Sequence, residues 1–103
     1  MDWVRGEGLV LVNKRGVSKT GIAGDSGKPA EWVSRYGSVT LNLGGREFAF
    51  SGMNEKGLIV CGLLLPGTKY PATDSRPALF GGQFQQYCLD NYATVEEVIQ
   101  NSA

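Results

Sequence analysis

Fifteen of the 103 residues are glycine, and no other feature narrows the possible folds as much. Glycine inside a helix or strand costs roughly 0.5–1 kcal/mol relative to alanine, yet it enters left-handed turns freely. A chain so rich in it suits strands joined by tight turns better than long helices. Residues 8–13, GLVLVN, form a short Val- and Leu-rich run that reads as a buried strand. Residues 16–29, GVSKTGIAGDSGKP, contain four glycines and no periodicity, the pattern of a polar loop. Residues 31–43, EWVSRYGSVTLNL, carry the β-branched and aromatic content of one or two strands, with a bend at Gly37. Gly44-Gly45 signals a turn, and REFAF after it alternates polar with apolar.

The stretch SGMNEKGLIVCGLLLP, residues 51–66, sets a polar turn between two apolar runs. Asn54 followed by Gly57 suits a type I turn: the asparagine side chain caps it, and glycine takes positive φ to start the return strand. Glu55 and Lys56 are then expected to point to water as a solvated pair. GLIVCGLLL is apolar on both faces, which predicts a central strand covered on each side. Beyond it Phe80, Phe84, Tyr87 and Cys88 recur at helical spacing. A second helix opens at TVEEV, where Thr94 is an N-cap and Glu97 completes a capping box. The reading is an α+β chain: four or five antiparallel strands, then two helices, in one domain.

Composition removes several function classes. Hydrophobic residues make up 42% and charged residues 19%, an ordinary globular balance that argues against wholesale disorder. Ten basic and ten acidic residues cancel with no run of like charge, so neither nucleic acid nor an anionic membrane surface is an expected partner. No apolar run approaches the ~20 residues a membrane helix needs. The chain has no histidine, which removes the commonest general base and metal ligand, and without a CxxC pair a zinc site is not expected. The loop GIAGDSGKP fails as a phosphate loop: five residues separate Gly21 from Gly27, and Pro29 stands where a hydroxyl should reach the metal. The acidic residues Asp2, Glu7, Asp25, Asp74 and Asp90 have no spacing that groups them. Two cysteines, Cys61 and Cys88, are too few for a disulfide scaffold; they read first as buried free thiols, with a disulfide or a reactive thiol as alternatives.

Three segments in order resemble the choloylglycine hydrolase family, which includes penicillin V acylases and bile salt hydrolases. They are MDW at residues 1–3, GMNEKGL at 52–58, and YPATDSRPAL with QYCLDNYATVEEV between 70 and 98. WVSRYGSV at 32–39 fits between them, so the resemblance covers nearly the whole chain, and the wording of DSRPAL and LDNYATVEEV is nearer the penicillin acylases. The resemblance implies an N-terminal-nucleophile hydrolase of four-layer αββα fold. Such an enzyme cleaves linear amides through an N-terminal cysteine and needs no cofactor. The cysteine's own α-amino group, with a pKa near ~8, serves as the base, so no histidine is required. A thioester forms and water releases the acid.

By this resemblance Asp2 is the aspartate that holds the cysteine's amine, and Trp3 lines the substrate pocket. Leu64 falls where the family contributes to the oxyanion hole; members often carry Tyr, Trp or Asn there, but a backbone N–H survives any side chain. The family's nucleophile lies upstream of the Asp2 position, its arginine just before Met1, and further polar residues after Ala103. Neither Cys61 nor Cys88 occupies the nucleophile's place. The expectation is therefore a single partial domain over residues 1–103, the N-terminal portion of an αββα hydrolase, inactive alone. The substrate class is a small acyl amide: penicillin V, a conjugated bile salt or an acyl-homoserine lactone. The alternative is a non-catalytic β module that binds an acyl ligand or forms homo-oligomers through an open face and strand edges. Cytoplasmic and periplasmic locations both stay open.

Overall fold

The computed structural model describes residues 8–22, 28–43, 48–63, 65–69 and 83–102. Within them the chain runs through six strands and then two helices. Strands β1 (Gly8–Asn13), β4 (Ser38–Leu43), β5 (Ala49–Asn54) and β6 (Ile59–Cys61) make one antiparallel sheet in the order β1-β4-β5-β6. Strands β2 (Ser18–Thr20) and β3 (Glu31–Val33) form a separate antiparallel pair. Helices α1 (Phe84–Asn91) and α2 (Val95–Ser102) follow.

The α+β arrangement of antiparallel strands before helices is the expected one, but there are six strands rather than four or five, β1 is largely exposed rather than buried because no described element covers its Val10 and Val12 side, and further local differences appear. Residues 18–20 lie within the segment read as a loop, yet they pair as β2 with β3 because Ser18, Lys19 and Thr20 find partners at Val33, Trp32 and Glu31. Residues 31–43 divide into two strands that belong to different sheets. Strand β6, expected at the centre, is only three residues long and ends the sheet's order. Its apolar residues face two different environments: Val60 is half-buried on the helix side, while Ile59 and Cys61 are exposed.

Register explains how one sheet acquires two unlike faces, since directly paired residues in an antiparallel ladder point the same way. Val10 pairs with Leu41, Val12 with Val39, Val39 with Met53, and Met53 with Ile59. All six side chains are exposed, forming a continuous apolar face. The opposite face carries Ser38, Thr40, Asn42 and Asn54, all buried, and it is the face that α1 covers over β5 and β6. A register shift at Leu41/Asn42 lets Asn42 pair with Ala49 and skips Phe50, the geometry of a β-bulge.

Helix α1 lies close to the sheet because residue 52 is glycine. A Cβ there would stand 2.7 Å from the Val39 carbonyl oxygen, 2.8 Å from Thr40 Cγ2 and 3.1 Å from Leu89 Cδ1. Leu89 and Cys88 fill the space above it and are buried. Helix α2 starts as expected, with the Glu97 N–H donating to Thr94 Oγ1 at 3.2 Å. The Glu97 carboxylate reaches back one residue further than in the usual capping box, to the Ala93 N–H at 2.7 Å. Neither helix is long and apolar enough to cross a membrane.

Candidate functional site

The polar turn at residues 54–57 is a hairpin bend whose side chains are all engaged. Asn54 Oδ1 accepts from the N–H groups of Lys56 and Leu58, each at 3.0 Å. Its Nδ2 donates to the carbonyls of Leu89 at 2.9 Å and Tyr92 at 2.7 Å. One amide thus closes its own turn and ties the turn to the end of α1. Gly57 has the expected positive φ, 89°.

Glu55 and Lys56 are both exposed, as expected, but each charge meets a partner elsewhere rather than the other. Glu55 Oε1 accepts the Gly37 N–H at 2.9 Å, and Oε2 takes the Arg15 guanidinium. Those bonds, the Gly37 N–H first, hold the Glu55 carboxyl below its ordinary value of 4.5 against a smaller opposing effect of desolvation. The Lys56 ammonium lies 5.9 Å from the centre of the Tyr36 ring. Each charge therefore braces a neighbouring loop, and no acid and base face each other to share a proton.

A second polar cluster centres on Asp90, whose side chain is fully buried. Lys19 Nζ and Trp32 Nε1 both donate to Asp90 Oδ2 at 2.8 Å, and Gln86 Nε2 donates to Oδ1 at 2.8 Å. The Asp90 carbonyl accepts the N–H groups of Arg35 at 2.8 Å and Tyr36 at 3.3 Å. Lys19 and Trp32 are cross-strand partners, so one carboxylate anchors hairpin β2–β3 to α1. The Trp32 ring meets Tyr87 edge-on at 5.1 Å. Such a charge is tolerable inside because a cation and two further donors hold its two oxygens. Beside it lies a cavity of about 300 Å³ between the hairpin and α1, lined by Asn13, Val17, Lys19, Thr20, Trp32 and Gln86 among others.

Sequence reasoning missed this cluster. Asp90 shares no local spacing with Lys19 or Trp32, which lie 71 and 58 residues away, and periodicity carries no signal over such distances. Asp2, Trp3 and Leu64, the residues the family resemblance puts in a catalytic site, lie outside the described residues, as does Phe80. Both cysteines are free. Cys88 is buried as expected, and burial pushes its thiol up to about 11. Cys61 is exposed rather than buried, because it faces the side of the sheet that α1 does not cover. Among the described residues no group of three or more acidic or cysteine side chains is placed to hold a metal ion.

Comparison with known proteins places this frame. The sequence profile of the linear amide C–N hydrolases, choloylglycine hydrolase family, matches residues 5–102. A penicillin V acylase of Pectobacterium atrosepticum is 36% identical over 109 residues, which include 98% of this chain and 28% of that protein. The solved structure of the penicillin V acylase from Agrobacterium tumefaciens superposes with a TM-score of 0.78 at 38% identity. That match covers 90% of this chain and 29% of the solved one. The 103 residues thus span less than a third of either relative.

Proposed function

The chain belongs to the linear amide C–N hydrolases of the choloylglycine hydrolase family, and from that membership we propose that it forms part of an acylase of the penicillin V type. The observation that supports this best is the shared backbone: a TM-score of 0.78 with 38% identity over 90% of the chain. In this reading the attacking sulfur belongs to an N-terminal cysteine whose α-amino group, with a pKa near ~8, takes the thiol proton and returns it to the leaving amine. Asp2 holds that amine by charge and hydrogen bonding. Trp3 lines the acyl pocket. The backbone N–H of Leu64 donates to the oxyanion, a contribution worth ~3 kcal/mol in comparable sites.

Neither thiol within residues 1–103 suits the attacking role. The nitrogens of Cys61 and Cys88 are in peptide bonds, so neither has an α-amino base, and the chain has no histidine to replace it. Cys88 is further silenced by burial, which keeps its thiol protonated at neutral pH. The isolated 103-residue polypeptide is therefore expected to leave a phenoxyacetyl amide intact; turnover abolished by iodoacetamide would refute this. The protein in its native source is the test of the larger reading, through intact mass and N-terminal sequencing. A species beginning with Cys and carrying Arg just before Met1 supports the acylase. A native species that runs only from Met1 to Ala103 sinks it.

A second reading, a non-catalytic module that associates with copies of itself, draws on one observation. The apolar face formed by Val10, Val12, Val39, Leu41, Met53 and Ile59 is exposed, and a face of that kind favours a covering partner. Sizing of the isolated chain separates the cases, since a stable monomer across concentrations leaves this reading without support.

A further inference from the structure

We propose that hairpin β2–β3 is a hinged flap that swings away from α1 as a unit, with the Asp90 carboxylate as its latch. The four-stranded sheet stays folded while the flap opens. This motion is independent of the acylase reading.

The hairpin has little of its own to keep it in place. Each strand is three residues long, and the pair is separate from the four-stranded sheet. A lone two-stranded hairpin is marginally stable at best in water. Lys19 and Trp32 pair directly, so they share the face turned to α1, and both are half-buried. Ser18, Thr20, Glu31 and Val33 are exposed. What holds the hairpin down is mostly polar. Lys19 Nζ and Trp32 Nε1 donate to Asp90 Oδ2 at its centre. Further out, the Ile22 N–H donates to Gln83 Oε1 at 2.8 Å, and Gln83 Nε2 reaches the Thr20 carbonyl at 3.4 Å. Between the hairpin and α1 lies the cavity, with Lys19, Thr20 and Trp32 on one side and Gln83 and Gln86 on the other. Segments with few apolar contacts open locally well before the whole molecule unfolds.

The base of the hairpin is built differently. The Gly16 N–H donates to the Ser34 carbonyl at 2.7 Å, and Ser34 Oγ donates to the Lys14 carbonyl at 2.8 Å. The Arg35 and Tyr36 N–H groups are held by the Asp90 carbonyl, and the Gly37 N–H by Glu55. These bonds fix both connections to the sheet, so the pivot falls at the base. Gly16, with φ of 73°, has the backbone freedom a pivot needs. Opening does not strand the anion. Gln86 shares α1 with Asp90 and keeps its bond to Oδ1, while water entering the cavity replaces Lys19 and Trp32 at Oδ2. The Lys19 side chain is already 22% exposed when the flap is closed, so its ammonium returns to water as well. Hydration thus offsets the lost latch bonds, and the sheet has no part in the exchange.

Native-state hydrogen exchange on the 103-residue chain, followed by 1H–15N spectra, tests this. The Ile22 N–H and the Trp32 indole N–H both cross to α1, so one opening should expose both, with protection factors equal within about threefold. Those factors are expected to be at least about tenfold below those of the β4 and β5 amides and of the Arg35 N–H at the base. Lys19→Met removes the latch cation and should lower the hairpin factors about tenfold further, with β4 and β5 unchanged within about twofold. Trp32→Phe keeps a ring beside Tyr87 and removes one latch bond, so it should lower the Ile22 factor in the same way even where the lysine variant fails to fold. Equal protection in hairpin and sheet would overturn the proposal, since the two would then open only together. So would protection that is graded between Ile22 and Trp32, the mark of fraying, or a folded variant whose Ile22 factor is unchanged. Loosening of β4 and β5 as large as that of the hairpin would overturn it too.

Discussion

Glu55 shows how a residue's role is decided by what stands across from it rather than beside it. Its sequence neighbour is Lys56, but its carboxylate binds Arg15 and the Gly37 N–H, 40 and 18 residues away. Three loops at one end of the sheet are joined through that one side chain. Because its folded-state pKa lies below the unfolded value of 4.5, the stabilisation is complete above that value. It is lost as pH falls through the lower, folded pKa. Acid titration of thermal stability should therefore show a gap between the native chain and Glu55→Gln at neutral pH that closes well below pH 4.5. A gap that stayed constant through that window would mean the carboxylate's charge has no part in it. Asn54, by contrast, behaved as its sequence position promised: the turn-capping bonds to Lys56 and Leu58 follow from Asn54 preceding Gly57 by three residues. Its two bonds to the end of α1 could not be read locally, since Leu89 and Tyr92 lie 35 and 38 residues on.

Among the elements, those with a strong internal period were legible and those defined by a partner were not. Strand β1 occupies residues 8–13 as its Val and Leu pattern indicates, and α2 begins just after Thr94 as its capping residues indicate. Strand β2 has no apolar alternation at all; Ser18–Thr20 becomes a strand only because β3 offers it a ladder. Strand β6 misleads in the other direction, since apolar content on both faces suggested a central position, whereas one face meets α1 and the other is open. The contact between α1 and the sheet rests on a single missing side chain at Gly52. Gly52→Ala pushes a methyl against a backbone carbonyl and Leu89, and neither can move far without disturbing β4 or the helix. The expected cost is about 2 kcal/mol, in the range typical of overpacked interiors. Urea unfolding with an unchanged m-value measures it directly; a loss under ~0.5 kcal/mol would show that α1 rides high enough over the sheet to admit a methyl at residue 52.

For the whole molecule, the distribution of polarity is the reverse of what alternation alone suggests. SVTLNL in β4 invites the reading that Val39, Leu41 and Leu43 face the interior. Instead Ser38, Thr40 and Asn42 are buried on the sheet face that α1 covers over β5 and β6, with Val39 and Leu41 on the open side. Thr40 Oγ1 bonds Asn42 Oδ1 at 2.7 Å and receives Asn13 Nδ2 at 2.9 Å, so the polar side chains satisfy one another. Periodicity marks which residues share a face; it does not say which face meets the helix. The open side is expected to govern how the isolated chain behaves in solution. Leu41→Lys, at the middle of that side and 52% exposed, should shift the sizing profile toward monomer while changing stability by less than about 0.5 kcal/mol. An unchanged profile would show that the apolar face does not drive association.

The Asp90 cluster also has a consequence in time. A ribosome delivers Lys19 and Trp32 long before the carboxylate they bind, with 71 and 58 residues of synthesis in between. Until α1 emerges, the hairpin has nothing to dock on, and the polar face of the sheet has no cover. Such long loop closures slow folding, so the nascent sheet spends its first moments with both of its faces bare. The interval is when this chain is most open to mispairing and to capture by chaperones.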